Sequence, residues 1–133
     1  MIYYCDGYCL GSNPSKYGGG FTIFNYKDKL IKTKRILKDG FTNNEAELIA
    51  VNETAKFAKK NDIIITDSQI VMNWIFKNYS NNRIDLNKMI IETNNLIKEK
   101  NLNLCWQQRY FNLAGRYNED KGFDKSNYNF EDF

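Results

Sequence analysis

The stretch that decides the fold is Ile63-Ile64-Ile65-Thr66-Asp67-Ser68, residues 63–68. Three consecutive isoleucines form a short, wholly apolar run, which is typical of a strand buried in the middle of a sheet. Asp67 and Ser68 end this run, and both residue types readily cap a following helix. The flanking sequence should therefore supply the neighbouring strands and the helices that cover them.

Three short strands are predicted upstream of this run. Residues 2–10, 21–24 and 30–37 are rich in aromatic and β-branched side chains, and the segments between them carry turn residues. Strands joined by such short connections favour an antiparallel meander.

A helix is predicted between the meander and the isoleucine strand. Thr42-Asn43-Asn44-Glu45 fits a capping box, in which Thr42 is the N-cap and Glu45 is the third helical residue. Alanine and leucine continue the helical pattern to about Lys60. This is the clearest helix start in the chain.

Downstream of residue 68 the pattern alternates between helix and strand. It predicts a second helix to about Asn78, a third over residues 86–100, a fifth strand over 102–106 and a last helix over 113–121. The order βββ-α-β-α-α-β-α predicts a mixed α/β (α+β) fold, a five-stranded mixed sheet with helices on both faces. We expect one domain over residues 1–125 and a C-terminal tail over 126–133.

Composition excludes several classes of chemistry. The 133 residues contain three cysteines and no histidine. The absence of histidine excludes Ser-His and Cys-His nucleophiles and mixed Cys/His zinc sites. No apolar run reaches the roughly 18 residues of a membrane span, and no signal-peptide pattern begins the chain. We therefore expect a cytoplasmic monomer without a membrane partner, whose net charge of +3 permits an anionic ligand.

Three acidic residues occupy informative positions. Asp6 lies inside the first strand, Glu47 in the first turns of the first helix, and Asp67 at the end of the isoleucine strand. Aspartate is depleted from strands, and ligand sites gather at the carboxyl ends of parallel strands. Most acidic residues are nevertheless solvated surface groups, so a carboxylate metal site is one of two open interpretations.

Three stretches resemble the type 1 ribonuclease H family. Asp6-Gly7-Tyr8-Cys9-Leu10-Gly11-Ser12-Asn13-Pro14 is similar to its opening Asp-Gly and Cys-Leu-Gly-Asn-Pro-like turn, with Ser12 as an insertion. Thr42-Asn43-Asn44-Glu45-Ala46-Glu47-Leu48 resembles Thr-Asn-Asn-x-x-Glu-Leu, and Thr66-Asp67-Ser68-Gln69 resembles Thr-Asp-Ser-Gln. The three motifs occur in the family's order, and the resemblance spans roughly residues 2–120.

The resemblance implies a ribonuclease H-like fold and an endoribonuclease that cuts the RNA strand of RNA–DNA hybrids. It implies two Mg²⁺ ions, with Mn²⁺ as an alternative, and products that carry a 5′-phosphate and a 3′-hydroxyl. Asp6 would bridge both ions, while Glu47 and Asp67 would each hold one. Glu45 would then be the capping residue and Glu47 the catalytic one.

The family has a fourth carboxylate near the start of the last helix, where this sequence departs from the pattern. One family version reads Arg-x-x-Asn-x-x-Ala-Asp; it fits residues 109–115 but places Arg116 at the acid. The other version has a longer loop that bears a histidine, and counting from Trp106 then reaches Asp120, with Glu119 beside it. We predict Asp120 as the fourth metal ligand, and the first register remains the alternative.

Small polar groups are predicted to read the hybrid, because its shallow minor groove is recognised by shape and 2′-hydroxyls. By resemblance, the contacts come from Cys9, Asn13, Asn43, Asn44 and Gln69. The family's basic protrusion is not evident, since residues 76–83 carry only two cations. This predicts weak hybrid affinity or dependence on a partner.

Other features have structural interpretations. Trp74 and Trp106 are predicted to lie in the core. The end Phe130-Glu131-Asp132-Phe133 resembles acidic-aromatic tails that dock on a partner, although a disordered end is the more common state of such a segment.

Two other functions fit the same fold. One is a nucleic-acid-binding module without useful activity, because its fourth acid is compromised. The other is a nuclease that acts on DNA. The Thr-Asn-Asn and Thr-Asp-Ser-Gln motifs favour the ribonuclease over both.

Overall fold

The computed structural model describes residues 1–27 and 29–122, the last three of them by backbone alone. Within these residues the chain forms a five-stranded sheet, four α-helices and two short 3₁₀ turns. The strands are β1 (Ile2–Cys9), β2 (Gly19–Asn25), β3 (Leu30–Ile36), β4 (Ile63–Thr66) and β5 (Asn103–Trp106). The helices are α1 (Asn43–Phe57), α2 (Gln69–Lys77), α3 (Asn87–Glu99) and α4 (Leu113–Gly122). The predicted tail, residues 126–133, lies outside the described residues.

The sheet has the strand order β3-β2-β1-β4-β5. β1, β2 and β3 form the predicted antiparallel meander, whereas β4 pairs in parallel with both β1 and β5. The isoleucine run therefore lies between two strands, as its wholly apolar character predicts. This arrangement confirms the predicted mixed sheet and element order.

Helices pack on both faces of the sheet. On one face, Cys5 of β1 and Ile64 of β4 pack in the main hydrophobic core with Leu48 of α1. The other face is covered by α4, whose Tyr117 ring lies 5.2 Å from the ring of Phe24 in β2. Because alternate strand residues point to opposite faces, Asp6 lies on the α4 side of β1.

Side-chain caps set the starts of α1 and α2. Thr42 Oγ1 accepts the Glu45 N–H at 3.1 Å, and Ser68 Oγ accepts the Val71 N–H at 3.2 Å. Both helices thus start where the sequence predicts. The Glu45 carboxylate is engaged by Arg83, whose Nη2 lies 3.1 Å from Oε1.

The first helix ends at Phe57, three residues before the predicted end. Ala58 is already extended, and a distant residue, Lys100, caps the end of the helix. The ammonium of Lys100 donates to the carbonyls of Ala55, Lys56 and Ala58 at 2.7–2.8 Å. It satisfies the carbonyls that the helix end leaves unpaired and places a positive charge at the negative end of the helix dipole.

Lys100→Met should lower the free energy of unfolding by about 1.5–3 kcal/mol, since hydrogen bonds to a charged group contribute about that much. Urea denaturation at pH 7 measures the change. Lys98→Met, at an exposed lysine near the end of α3, should alter the free energy of unfolding by less than about 0.5 kcal/mol. Equal effects of the two substitutions would show that Lys100 does not cap α1.

No helix in the described part of the chain is long and apolar enough to cross a membrane.

Candidate active site

The structure brings Asp6, Glu47 and Asp67 together. Asp6 lies in the middle of β1, Asp67 directly follows β4, and Glu47 lies in the first turns of α1. Because β1 and β4 are parallel neighbours, the two aspartates meet at the same end of the sheet. One oxygen from each of the three carboxylates lies within 4.8 Å of the others. We call these three residues the carboxylate cluster.

Gly7 allows Glu47 to reach this cluster. A Cβ atom at Gly7 would lie 2.2 Å from the carbonyl carbon of Ala46, so only glycine lets α1 approach β1 so closely. The Gly7 N–H then donates to Glu47 Oε1 at 2.5 Å. The Asp-Gly pair in β1 therefore supplies one acidic ligand and the space and hydrogen bond that position another.

The cluster is buried and electrostatically costly. Burial, followed by the nearby charge of Asp67, raises the pKa of Asp6 to about 6. Burial and then the charges of Asp6 and Asp67 raise the pKa of Glu47 well above its usual range. Glu47 Oε2 is buried without a hydrogen-bond partner among the described residues.

These features suit a divalent cation. Buried, mutually repelling carboxylates are stabilised by a cation, and Mg²⁺ and Mn²⁺ bind carboxylate oxygens in preference to softer ligands. The unpaired Oε2 of Glu47 offers such a lone pair directly. The residues present therefore fit the metal ions that the family resemblance implies.

The cluster predicts how metal-free stability depends on pH. The pKa of Asp6 is raised in the folded chain, so folding takes up protons, and this stabilising contribution is lost as the pH rises through about 6. In EDTA, the free energy of unfolding should fall by at least about 1 kcal/mol between pH 5 and pH 8. The chain has no histidine, so few other side chains titrate in this window.

Urea denaturation at four pH values, with and without Mg²⁺, measures this dependence. Mg²⁺ should restore stability at pH 8 and have little effect at pH 5, since protonated carboxyls bind it poorly. Asp6→Asn should flatten the profile in EDTA. Identical profiles for this variant and the wild-type chain would mean that the cluster does not cause the dependence.

Arg109 supplies a positive charge within the cluster. Its Nη1 lies 3.1 Å from both Asp6 Oδ1 and Asp67 Oδ2, and its Nε lies 2.5 Å from Glu119 Oε1. The side chain is 38% exposed and reaches the aspartates from the 3₁₀ turn Arg109–Phe111. The guanidinium thus partly offsets the repulsion between the two aspartates.

The last helix matches the Arg-x-x-Asn register. Asn112 precedes α4, where its side-chain oxygen accepts the Gly115 N–H at 3.1 Å. A Cβ at Gly115 would lie 3.3 Å from Asp67 Oδ2, so this residue faces the cluster. Arg116, at the motif's acid position, is exposed, and its guanidinium carbon lies 5.4 Å from the centre of the Tyr110 ring. Arg109 rather than Arg116 therefore brings a cation to the carboxylates.

The predicted fourth carboxylate, Asp120, belongs to α4. The side chain of Asp120 lies outside the described residues, so its role as a metal ligand stays a prediction. Among its described neighbours, Glu119 pairs with Arg109, and Asn118 donates from Nδ2 to Asp6 Oδ2 at 2.8 Å. No sequence motif identifies Asn118, because its contact with Asp6 depends on how α4 packs against β1.

An open cleft of about 780 Å³ leads to the cluster. Asn43 and Gln69, both predicted to contact a hybrid, are exposed in its lining. Trp106 also lines the cleft and is 39% exposed, so the prediction that it lies in the core was wrong. Its indole N–H donates to the Asp67 carbonyl at 3.0 Å, which holds the ring at the edge of the cleft.

The other predicted contact residues have different surroundings. Asn13 Oδ1 accepts the Asn43 N–H at 3.0 Å, so it supports the start of α1. Asn44 is half-buried. Cys9 is buried, and its Sγ lies 3.2 Å from the Phe41 carbonyl oxygen, so its side chain faces the protein interior.

A family comparison agrees with these motifs. The model of the RNase H family matches residues 1–113, which is most of the chain. The chain belongs to the type 1 ribonuclease H family. The match to this ribonuclease H domain includes all three residues of the carboxylate cluster and Arg109. No curated relative matches the chain at the sequence level.

Solved structures share the ribonuclease H fold. RNase H1 from the halophilic archaeon Halobacterium salinarum is 21% identical, with a TM-score of 0.63 over 87% of this chain and 91% of that one. The N-terminal RNase H domain of Rv2228c from Mycobacterium tuberculosis, solved as a fusion with maltose-binding protein, is 17% identical, with a TM-score of 0.62 over 87% and 92%. LC11-RNase H1, solved in complex with an RNA/DNA hybrid, is 21% identical, with a TM-score of 0.60 over 84% and 87%.

Proposed function

We propose that this chain is an endoribonuclease that cleaves the RNA strand of RNA–DNA hybrids. The observation that carries the proposal is the convergence of Asp6, Glu47 and Asp67 at an open cleft lined by Glu47 and Asp67, on a chain of the ribonuclease H family. The complex of LC11-RNase H1 with an RNA/DNA hybrid supports the choice of substrate.

Asp6, Glu47 and Asp67 would hold two Mg²⁺ ions, with Mn²⁺ as the alternative. When bound, such ions supply a hydroxide nucleophile at neutral pH and stabilise the charge that develops on the leaving oxygen. Cleavage by this chemistry leaves a 5′-phosphate and a 3′-hydroxyl. By resemblance to the family, Asp6 would be the ligand shared by both ions; it lies on β1 next to β4, and the N–H of the neighbouring Gly7 bonds to Glu47.

Arg109 competes for the oxygens that would bind the ions. Its guanidinium contacts Asp6 Oδ1 and Asp67 Oδ2. It also pairs with the carboxylate of Glu119, which lies outside the cluster. We expect the guanidinium to withdraw toward Glu119 when the ions bind. From that position it remains at the cleft, where it can pair with a phosphate of the substrate.

The lining of the cleft suits a hybrid. The side chains of Asn43 and Gln69, at the starts of α1 and α2, present amide donors and acceptors in the lining of the cleft. Such groups hydrogen-bond 2′-hydroxyls and sugar oxygens in a shallow minor groove. Asn13 contributes indirectly by holding the Asn43 backbone.

Cleavage of labelled duplexes tests the proposal. The purified chain is incubated in Mg²⁺ with an RNA–DNA hybrid, double-stranded RNA and double-stranded DNA of one sequence, each labelled on one strand. We expect cleavage of the RNA strand of the hybrid alone, its loss in EDTA, and products with 5′-phosphates. Binding of the hybrid without cleavage would support a binding module instead, and cleavage of double-stranded DNA would support a DNA nuclease.

A further inference from the structure

A line of hydrogen bonds runs from the edge of the sheet to Asp6. Thr33 Oγ1 of β3 lies 3.1 Å from Thr22 Oγ1 of β2, which donates to Asn118 Oδ1 at 2.6 Å. Asn118 Nδ2 then donates to Asp6 Oδ2 at 2.8 Å. Three of these residues are almost completely buried, with Asn118 only 2% exposed and Thr22 and Asp6 at 0%.

The donor and acceptor atoms of these side chains determine which residue donates in each hydrogen bond of this line. An ionised Asp6 carboxylate only accepts hydrogen bonds, so the amide nitrogen of Asn118 must face it. The amide oxygen therefore faces Thr22, whose single hydroxyl proton is donated to it. Thr33 consequently donates to Thr22 or to the carbonyl of Phe21, which is 3.3 Å away.

We propose that Asn118 is a positioning residue for Asp6, and that α4 contributes this amide to the site in addition to any carboxylate. The inference rests on the proposed function. A carboxylate oxygen accepts two hydrogen bonds or ligands, so Oδ2 can receive the Asn118 amide and one further partner, a place that Arg109 Nη2 takes at 3.4 Å in this structure. By fixing this oxygen, Asn118 holds the Asp6 carboxylate beside Glu47 and Asp67, where it would share in binding a cation.

Burial makes a purely space-filling role for Asn118 a poor explanation. A buried amide is unfavourable unless its donors and acceptors are satisfied, whereas leucine would fill a similar volume without partners. The amide is satisfied here by a group in the carboxylate cluster on one side and by Thr22 on the other. The polar amide of Asn118 is therefore explained by its hydrogen bond to Asp6, and not by a need to fill space between α4 and the sheet.

Asn118→Leu tests the role through metal binding as well as activity. Calorimetric titration with Mn²⁺ should show a dissociation constant about 10- to 100-fold higher than that of the wild-type chain, the usual effect of removing a hydrogen-bond partner of a ligand. In the cleavage assay kcat should fall while KM for the hybrid stays within about 2-fold, because Asn118 is buried beneath the cleft.

Thr22→Val is a second variant with a smaller structural change. It keeps the test possible if Asn118→Leu does not fold. It keeps Asn118 but removes the donor that orients its amide, and should weaken Mn²⁺ binding by about 3- to 10-fold. Asn52→Leu is the matched control, since Asn52 is also 2% exposed but bonds to Thr93 in α3. It should lower stability and leave the Mn²⁺ dissociation constant unchanged.

Unchanged Mn²⁺ affinity in folded Asn118→Leu and Thr22→Val, with hybrid cleavage intact, would overturn the positioning role and leave the proposed function standing. Conversely, weakened Mn²⁺ binding in these variants of a chain that cleaves no hybrid would support the positioning role and contradict the proposed function.

Discussion

Asp67→Asn should abolish cleavage of the RNA–DNA hybrid, with a loss of about 10³-fold or more, while the fold is kept. Asparagine preserves the shape of the side chain but removes a negative charge that would bind a metal ion and contribute several kcal/mol to catalysis. The backbone contacts of Asp67 persist, including the hydrogen bond from Trp106 to its carbonyl. Arg109 retains its contacts with Asp6 and Glu119.

Single-turnover cleavage measures the loss of catalysis, and hybrid binding in Ca²⁺ or EDTA measures whether the variant still binds its substrate. Binding should survive or strengthen, because a negative charge is removed from a cleft that receives a polyanion. Asp39→Asn, at an exposed aspartate that is not among the residues lining the cleft, serves as the control and should cleave at the wild-type rate. A wild-type rate in Asp67→Asn would show that Asp67 has only a structural role.

Gly7→Ala should destabilise the fold by about 3 kcal/mol or more and remove activity with it. The added methyl group would lie 2.2 Å from Ala46 C, 2.3 Å from Ala46 O and 2.5 Å from Glu47 N. These are backbone atoms of a helix, so they cannot move aside as a flexible side chain could, and α1 must shift as a whole. That shift would also break the hydrogen bond from Gly7 to Glu47 and withdraw Glu47 from the cluster.

Urea denaturation in EDTA measures this loss, and Gly115→Ala provides the comparison. At Gly115 the nearest atom to an added Cβ is Asp67 Oδ2 at 3.3 Å, a side-chain atom, and alanine is favoured over glycine in a helix by up to about 1 kcal/mol. Its stability should stay within about 1 kcal/mol of wild type. If Gly7→Ala were equally well tolerated, close packing of α1 on β1 would not be what positions Glu47.

The residues that the sequence could identify are those whose position depends on local chemistry. Asp67 follows an apolar strand and Glu47 follows a capped helix start, so both could be placed on their elements from neighbouring residues alone. The wholly apolar isoleucine run predicts a buried strand, and in the structure this strand pairs in parallel with β1. These features placed the acids on their elements, and the resemblance to the ribonuclease H family favoured a shared metal site over solvated surface carboxylates.

The residues that sequence reasoning missed depend on how distant elements pack. Arg109 enters the cluster through the path of the 3₁₀ turn before α4, and Asn118 meets Asp6 through the rotation of that helix. Trp106 is exposed because its indole N–H reaches the Asp67 carbonyl, 39 residues away in the sequence. Lys100 caps the end of α1 through the Ala58 carbonyl, although the two residues are 42 positions apart in the sequence. Arg109 belongs to the Arg-x-x-Asn motif, but that motif does not predict its contact with the carboxylates, and the other three contacts leave no periodic or spacing signal.

The most direct test of the central claim is the anomalous scattering of Mn²⁺ in crystals of the wild-type chain. We expect Mn²⁺ bound to oxygens of Asp6, Glu47 and Asp67, with the Arg109 guanidinium turned toward Glu119. A crystal at saturating Mn²⁺ that shows no ion among these carboxylates, with Arg109 still paired to Asp6 and Asp67, would contradict it.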